Sequence, residues 1–225
     1  MKQSFTVLTA PPPFQPLLSL PPLWLRWGVT TPLDKKALRA DMRALRRRLA
    51  EEQPDAAQRA ARRLPLSRFA RFSIIGAYCA VGSELDPGPV LNAILKFDPG
   101  RAKAALPVAV DRNSPLKFRL WRPLEDTLIK DAFGIPSPTD TAPELLPNLM
   151  ITPVLAFDRQ GGRLGQGAGH YDRTLKNLRR QRPVFVLGLA YSGQELPAVP
   201  MLEHDQRLDA IVTETEYIEV AREGR

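Results

Sequence analysis

Two segments decide the fold of this chain: Leu149-Met-Ile-Thr-Pro-Val-Leu-Ala-Phe157 and Arg163-Leu-Gly-Gln-Gly-Ala-Gly-His-Tyr-Asp172. The first segment is apolar and predicts a buried strand, whereas the following residues Tyr171–Arg180 have the apolar spacing of a helix. A glycine-rich loop therefore stands between a strand and the N-terminus of a helix. This order predicts an anion site, because the free N–H groups of a helix N-terminus point at the ligand.

The loop carries alternating glycines, which allow positive φ and expose backbone N–H groups to phosphate oxygens. Arg163 adds a cationic fork, and Asp172 can hold a magnesium ion against the phosphates. The loop matches neither of two familiar patterns, since no Gly-Lys-Ser/Thr tripeptide is present and His170 stands where G-x-G-x-x-G requires its third glycine. Glycine alternation alone would favour an ordinary turn, but the Arg, Tyr and Asp at fixed spacing favour a phosphate site.

The rest of the chain alternates predicted helices and strands. Helices are expected at three further places: Asp34–Glu52 with Asp34 as N-cap, Asp55–Leu64, and a stretch that opens at Asp86-Pro87. Strands are expected at five: Ser73–Ala80, Ala102–Val110, Leu116–Trp121, Val184–Ala190 and Ala210–Thr213. A proline-rich connection is expected at Asp131–Pro147. The alternation predicts an α/β layered fold with a largely parallel sheet flanked by helices, whose ligands bind at the carboxyl ends of the strands.

Composition limits the classes of protein. The 225 residues can bury one good core, which predicts a single domain over residues 34–225. Residues 1–33 are rich in proline, with Lys2 and Arg26 as their only charges, and are expected to form a disordered extension whose broken apolar run is too short to span a membrane. The single cysteine, Cys79, excludes a disulfide framework and fits a reducing cytosol. The net charge of +8 suits nucleic acid, but equally suits a polyanionic nucleotide.

In the order and spacing of five segments, the sequence resembles the 5-formyltetrahydrofolate cyclo-ligase family, whose members are also called 5,10-methenyltetrahydrofolate synthetases. Five segments carry the resemblance and together span the chain from about Asp34 to its end: Lys35–Arg39, Gly82–Asp86, Phe133–Pro136, Pro153–Asp172 and His204–Asp209. The segment with the glycine loop is the most specific of them.

The resemblance implies a compact α/β enzyme with a phosphate-binding loop. The implied reaction uses ATP and Mg²⁺ to close 5-formyltetrahydrofolate to 5,10-methenyltetrahydrofolate and releases ADP and phosphate. The formyl oxygen is phosphorylated and N10 then attacks the activated carbon. We therefore expect a cytoplasmic, monomeric ligase of one-carbon metabolism that binds a reduced folate and ATP, and neither nucleic acid nor membrane.

The resemblance also implies roles for single residues. ATP binding falls to three residues of the first helix and to the glycine loop: Lys35, Lys36, Arg39, Arg163, Leu164, Gly165, Gln166, Gly167, Ala168, Gly169, His170 and Tyr171. Arg163, His170 and Tyr171 are the expected catalytic residues. The folate is expected to contact four residues: Cys79, Glu84, Gln166 and His170. Magnesium is expected at Asp172 and Asp205.

Taken one at a time, these residues have ordinary structural interpretations. Lys35 and Arg39 lie one helical turn apart and could be an exposed pair. Glu84 and Asp172 could be carboxylates favoured at a helix start, and Asp205 a turn residue. Cys79 could be a small buried residue, and a tryptophan such as Trp121 lies in a core more often than it stacks on a ligand.

The sequence departs from the family pattern in three places. His170 stands where a second tyrosine is expected, and a histidine can carry charge near neutral pH. Gln166 and Ala168 occupy positions that are basic in many relatives. Ser137 follows Phe133–Pro136, where relatives often have an acid.

Three alternatives stay open at this point. A sugar-phosphate isomerase or acyl-CoA transferase relative would use Glu84 as a base or nucleophile and would need no ATP. A basic nucleic-acid-binding protein would use Lys35–Arg48 and would bind with a steep salt dependence. A regulatory folate-binding protein without turnover is the third alternative, suggested by His170.

Overall fold

The computed structural model describes residues 32–221, so most of the predicted extension at residues 1–33 lies outside the described residues. The described helices are α1 (Pro32–Glu52), α2 (Ala56–Arg63), α3 (Gly88–Phe97) and α4 (His170–Gln181). α1 begins at Pro32, so the prediction of Asp34 as N-cap is wrong and this residue lies in the first turn. A proline suits that turn because its missing N–H would have no helical partner there.

A seven-stranded sheet forms the centre of the described chain, in the order β11-β10-β9-β6-β1-β2-β3. Its strands are β1 (Ile74–Gly76), β2 (Lys103–Val108), β3 (Lys117–Trp121), β6 (Leu149–Pro153), β9 (Phe185–Leu189), β10 (Ala210–Val212) and β11 (Tyr217–Glu219). The five central strands pair in parallel, and the edge strands β3 and β11 are antiparallel. The prediction of a layered, largely parallel α/β fold is therefore confirmed.

Two short sheets accompany the central one. β4 (Ile129–Lys130) pairs with β5 (Pro136–Ser137), and β5 lies inside the region Asp131–Pro147 that the sequence predicted as an extended connection. β7 (Ala156–Phe157) pairs with β8 (Arg163–Leu164) in an antiparallel hairpin.

The predicted strand Leu149–Phe157 is in fact two strands. β6 leaves the central sheet at Pro153, and a proline offers no N–H to continue a ladder. The chain then turns into β7, where the N–H of Leu155 donates to the carbonyl of Leu164 at 2.9 Å. The hairpin thus places Arg163 at the start of the glycine loop. The strand predicted from Ser73 is also shorter than expected, and β11 was missed.

Core side chains pack on both faces of the sheet. Along β6, Leu149 and Ile151 join the cluster beneath α2 and α3, whereas Met150 joins Leu175 of α4 on the other face. The change of face follows from the two-residue period of a strand. Fully burying each such side chain contributes about 1.5–3 kcal/mol.

A third cluster holds α1 against the hairpin. Leu38 and Met42 of α1 are buried there with Leu155 and Leu164. The packing places the adjacent, basic side of α1 next to the glycine loop.

Candidate functional site

A cleft of about 1230 Å³ opens at the carboxyl ends of the parallel strands. Its walls come from the residues after β1, β2 and β6, from one side of α1, and from the N-terminus of α4. All five segments that carry the family resemblance contribute lining residues, although they are far apart in sequence. The described fold therefore brings nearly all the predicted site residues to one place.

The glycine loop needs glycine at two positions. Gly167 has φ +108° and Gly169, which precedes α4, has φ +69°. Side chains rarely adopt such angles. A Cβ at Gly167 would also lie 3.4 Å from the guanidinium carbon of Arg39. This distance is an ordinary van der Waals contact, so the positive φ, rather than a lack of space, favours glycine at this position.

Arg163 is buried in the wall of the cleft, where it pairs with Asp172. Its Nη2 donates to Oδ1 of Asp172 at 2.7 Å, and its guanidinium carbon lies 5.8 Å from the ring centroid of Tyr171. Its Nε is buried without a hydrogen-bond partner among the described residues. The Nε atoms of Arg59, Arg119 and Arg173 are buried in the same way, so this atom does not by itself indicate a ligand; Arg163 belongs to the site because it lines the cleft next to Asp172.

The two predicted metal ligands lie beside each other. Oδ1 of Asp172 accepts from the N–H of Gln206, the residue after Asp205, at 3.0 Å. Oδ2 of Asp205 accepts from Nζ of Lys35 and from the N–H of Leu202, both at 2.8 Å. The remaining oxygen of each carboxylate is free of hydrogen bonds within residues 32–221.

The charge state of Asp205 follows from these contacts. Burial raises the pKa of its carboxyl, but the hydrogen bonds from Lys35 and Leu202, with the charges of Lys35 and His204, lower it further than burial raises it. The net pKa is below the ordinary value, so the group is a carboxylate at neutral pH.

Two arginines on the basic side of α1 donate hydrogen bonds to the glycine loop. Nε of Arg39 donates to the carbonyl of Gly165 at 3.0 Å. Arg43 donates to both the side-chain and the backbone oxygen of Gln166, at 2.9 and 3.1 Å. Lys36 is exposed and does not line the cleft, so it is the one predicted ATP ligand that the fold does not bring to the site.

The other end of the cleft holds Glu84 and Cys79. Oε2 of Glu84 accepts from the N–H of Val81 at 3.1 Å, and Oε1 lies 3.4 Å from Nη1 of Arg46. Burial raises the pKa of the Cys79 thiol, and the charges of Asp86 and Asp131 raise it further. Cys79 therefore stays protonated and forms a small, weakly polar part of the wall.

Two tyrosines complete that end of the cleft. Burial raises the pKa of Tyr171 far above its ordinary value, the charge of Glu84 adds to this, and Arg163 opposes it. Burial likewise raises the pKa of Tyr78, whose hydroxyl donates to the carbonyl of Leu85. Both phenols are therefore neutral near pH 7.

His170 joins the glycine loop to the rim of the cleft. Its Nε2 lies 3.1 Å from the carbonyl oxygen of Arg112, and its ring centroid lies 5.7 Å from that of Phe133. Ser137, which also departs from the family pattern, is buried in β5 and does not line the cleft. Trp121 packs against the core, as its more common interpretation predicted.

Sequence reasoning missed several residues of the site. Arg43, Arg46, Tyr78, Asp131 and Arg173 were assigned no role, yet all but Arg43 line the cleft and Arg43 contacts the loop. One signal was available on α1, where basic residues recur at 35, 39, 43 and 46. Such spacing places them along one side of a helix.

The fold and the cleft define an α/β enzyme with a cationic, glycine-lined site. The family model described as the 5-formyltetrahydrofolate cyclo-ligase family matches residues 32–214. The chain belongs to this family. The predicted enzyme, an ATP-dependent cyclo-ligase of folate metabolism, is thereby confirmed over the isomerase-like and transferase-like alternatives.

Curated relatives carry the same name. A 5-formyltetrahydrofolate cyclo-ligase of Escherichia coli K12 is 30% identical over 72% of this chain and 90% of its own length. One from Mycolicibacterium smegmatis is 33% identical over 61% of this chain and 71% of its own length. A mitochondrial one from Arabidopsis thaliana is 28% identical over 80% of this chain and 72% of its own length.

Two solved structures share the fold. The 5,10-methenyltetrahydrofolate synthetase of Aquifex aeolicus superposes with a TM-score of 0.69 at 28% identity, over 85% of this chain and 94% of the other. A synthetase from Mycoplasma pneumoniae gives 0.61 at 22% identity over 80% and 99%, which supports the fold alone. Within residues 32–221, no helix is both long and apolar enough to cross a bilayer.

Proposed function

We propose that this chain binds ATP with Mg²⁺ at the glycine loop, binds 5-formyltetrahydrofolate beside Glu84, and cyclises the folate to 5,10-methenyltetrahydrofolate. The observation that carries the proposal is the single cleft at which the glycine loop, two carboxylates and Glu84 meet. The family of the chain supplies the chemistry.

At the nucleotide end, Lys35, Arg39 and Arg163 neutralise the phosphates together with the loop N–H groups. The position of all three cations in the wall of the cleft supports this role, because guanidinium and ammonium groups donate strong hydrogen bonds to phosphate oxygens. Lys36 is left out of this set because it is exposed away from the cleft.

Asp172 and Asp205 fit a magnesium ion as carboxylate ligands. The described residues contain no group of three or more His, Cys, Asp or Glu side chains suited to a metal. Two carboxylates with phosphate oxygens and waters match what Mg²⁺ prefers. When bound, the ion would neutralise charge on the phosphates.

The chemistry requires positioning more than covalent participation by the protein. The γ-phosphoryl group passes to the formyl oxygen and ADP is released, since oxide is a poor leaving group and phosphate a good one. N10 attacks the activated carbon, loses its proton, and phosphate departs. Arg163 and the neutral Tyr171 lie where they can steady the transferring group, and His170 connects the loop to the rim near Phe133.

At the folate end, Glu84 accepts hydrogen bonds from the pterin, and Cys79 forms part of the wall. A carboxylate suits the N–H groups of a pterin edge. Gln166 and His170, at the loop between the two ends, contact the folate beyond the pterin.

The test mixes the protein with 5-formyltetrahydrofolate, ATP and Mg²⁺ and follows methenyltetrahydrofolate by its near-ultraviolet absorbance. We expect product only when all three are present, with one ADP formed for each product. Folded protein that yields no product would contradict the proposal. ATP hydrolysis that does not depend on folate would also contradict it.

The proposal has two further parts. Residues 34–225 act as one domain, and the protein is a cytoplasmic monomer that binds neither nucleic acid nor membrane. Size-exclusion chromatography with light scattering tests the monomer. Retention on heparin that disappears when ATP is added would support the use of the basic cleft for nucleotide.

A further inference from the structure

We propose that Arg46 is a positioning residue that fixes the Glu84 carboxylate for recognition of the pterin edge of the folate. This inference rests on the proposed function of Glu84 and adds a residue that the family resemblance did not assign. It makes α1 part of both ends of the cleft.

The contacts of Arg46 are directed at the Glu84 loop. Arg46 is 5% exposed, whereas Arg47 and Arg48, which follow it on the same helix, are exposed. Its Nε donates to Oγ of Ser83 at 3.1 Å, and its Nη1 lies 3.4 Å from Oε1 of Glu84. The 3.4 Å contact between Arg46 and Glu84 is longer than an ordinary hydrogen bond, so it consists mainly of the attraction between the two charges.

Glu84 is held from two sides. Oε1 faces Arg46, and Oε2 accepts from the N–H of Val81 at 3.1 Å. Each carboxylate oxygen has a second lone pair, so both can still accept from a ligand. The two contacts fix the plane of the carboxylate, as a paired set of pterin N–H donors requires.

The surroundings favour a directed role over simple packing. Burying an ion pair costs desolvation that its attraction barely offsets, so such a pair is weak evidence for stability alone. Tyr78 and Tyr171 adjoin the same carboxylate as neutral phenols, and Cys79 lies beside it in the cleft wall. Arg46 is the cation paired with Glu84 here, whereas Arg163 lies against Tyr171 and pairs with Asp172.

The first test compares Arg46→Gln with Arg46→Lys and with Arg47→Gln, an exposed neighbour on the same helix. We expect Arg46→Gln to raise the KM for 5-formyltetrahydrofolate about tenfold, as loss of a charged hydrogen-bond partner does. The KM for ATP should stay within about twofold. Arg46→Lys should fall between wild type and Arg46→Gln, because one ammonium cannot reach both Ser83 and Glu84, and Arg47→Gln should match wild type.

The second test is a double-mutant cycle with Glu84→Gln. If Arg46 acts through Glu84, the double variant should bind folate no more than about twofold worse than Glu84→Gln alone. The inference would be overturned if the effects of the two single substitutions on the KM for folate multiply in the double variant. It would also be overturned if the KM values for ATP and for folate rise equally. Circular dichroism verifies the fold of each variant, and if Arg46→Gln does not fold, wild-type kinetics in Arg46→Lys would overturn it.

The outcome is separable from that of the proposed function. Wild-type protein that makes no methenyltetrahydrofolate would refute the proposed function. Active wild-type protein whose Arg46 variants show no selective change in folate KM would refute only the role of Arg46.

Discussion

The two ends of the cleft are built differently, although the same helix contributes to both. At the nucleotide end, Arg39 and Arg43 of α1 contact backbone carbonyls and an exposed glutamine of a loop. At the folate end, Arg46 faces a carboxylate whose side chain is only 10% exposed. The contacts of Arg39 and Arg43 with the loop can therefore be exchanged for those of a ligand, whereas the Glu84 carboxylate is already paired before its ligand arrives.

Loss of a metal carboxylate should be the most damaging change at the nucleotide end. Asp172→Asn removes a ligand for Mg²⁺ and leaves the buried Arg163 without its ion pair, so we expect the rate of product formation to fall at least about a hundredfold. The matched control is Asp41→Asn, an exposed aspartate on α1, which should keep the wild-type rate. Wild-type turnover in a folded Asp172→Asn variant would contradict the metal role.

A side chain in the loop should disturb ATP more than folate. Gly167→Ala must adopt φ near +108°, so we expect the KM for ATP to rise about tenfold, as backbone strain of this kind implies. Gly100→Ala introduces similar strain at φ +83° in open space far from the cleft. It should lower the melting temperature and leave both KM values unchanged. Equal rises in both KM values for Gly167→Ala would remove the distinction between the two ends.

The exposed contacts between Arg43 and the glycine loop should matter least for activity. Arg43→Gln loses two exposed contacts to Gln166, and we expect the KM for ATP to rise about twofold to threefold, since exposed contacts of charged groups are weak. The difference should shrink at high salt because ions screen exposed charges. A tenfold effect that persists in high salt would mean that Arg43 contacts the nucleotide directly.

The Lys35–Asp205 pair should leave a small pH signature on stability. A carboxyl whose pKa is lowered in the folded protein stabilises the fold above its ordinary pKa of about 3.9, and this contribution is lost as the pH falls below that value. The melting temperature of wild type should therefore exceed that of Lys35→Gln by a constant margin from about pH 8 to pH 5, and the margin should narrow below about pH 4. Calorimetry in magnesium-free buffer measures it. A margin that widens on acidification would contradict the sign of the shift.

The sequence indicated the glycine loop because its function depends on local features: glycines at Gly167 and Gly169, with Arg163 and Asp172 at fixed spacing. The alternation of helices and strands likewise predicted a parallel sheet. Both kinds of information lie in neighbouring residues. This is why the sequence alone predicted most of the fold and named residues that the fold brings together in one cleft.

What the sequence could not indicate depends on contacts between distant residues. The arginines of α1 look alike in sequence, and only the fold distinguishes buried Arg46 from exposed Arg47. The same holds for Lys35 and Lys36, which are adjacent in the chain but face different sides of a helix. The break between β6 and β7 has a local cause instead: Pro153 stands within the apolar run, and a proline has no N–H with which to continue a strand ladder.

Isothermal titration with a non-hydrolysable ATP analogue tests the central claim most directly, with and without Mg²⁺. Wild-type protein should bind the analogue more tightly with Mg²⁺. The Asp172→Asn/Asp205→Asn double variant should lose that enhancement while it still binds 5-formyltetrahydrofolate. An enhancement by Mg²⁺ that is the same in the folded double variant as in wild type would contradict the account.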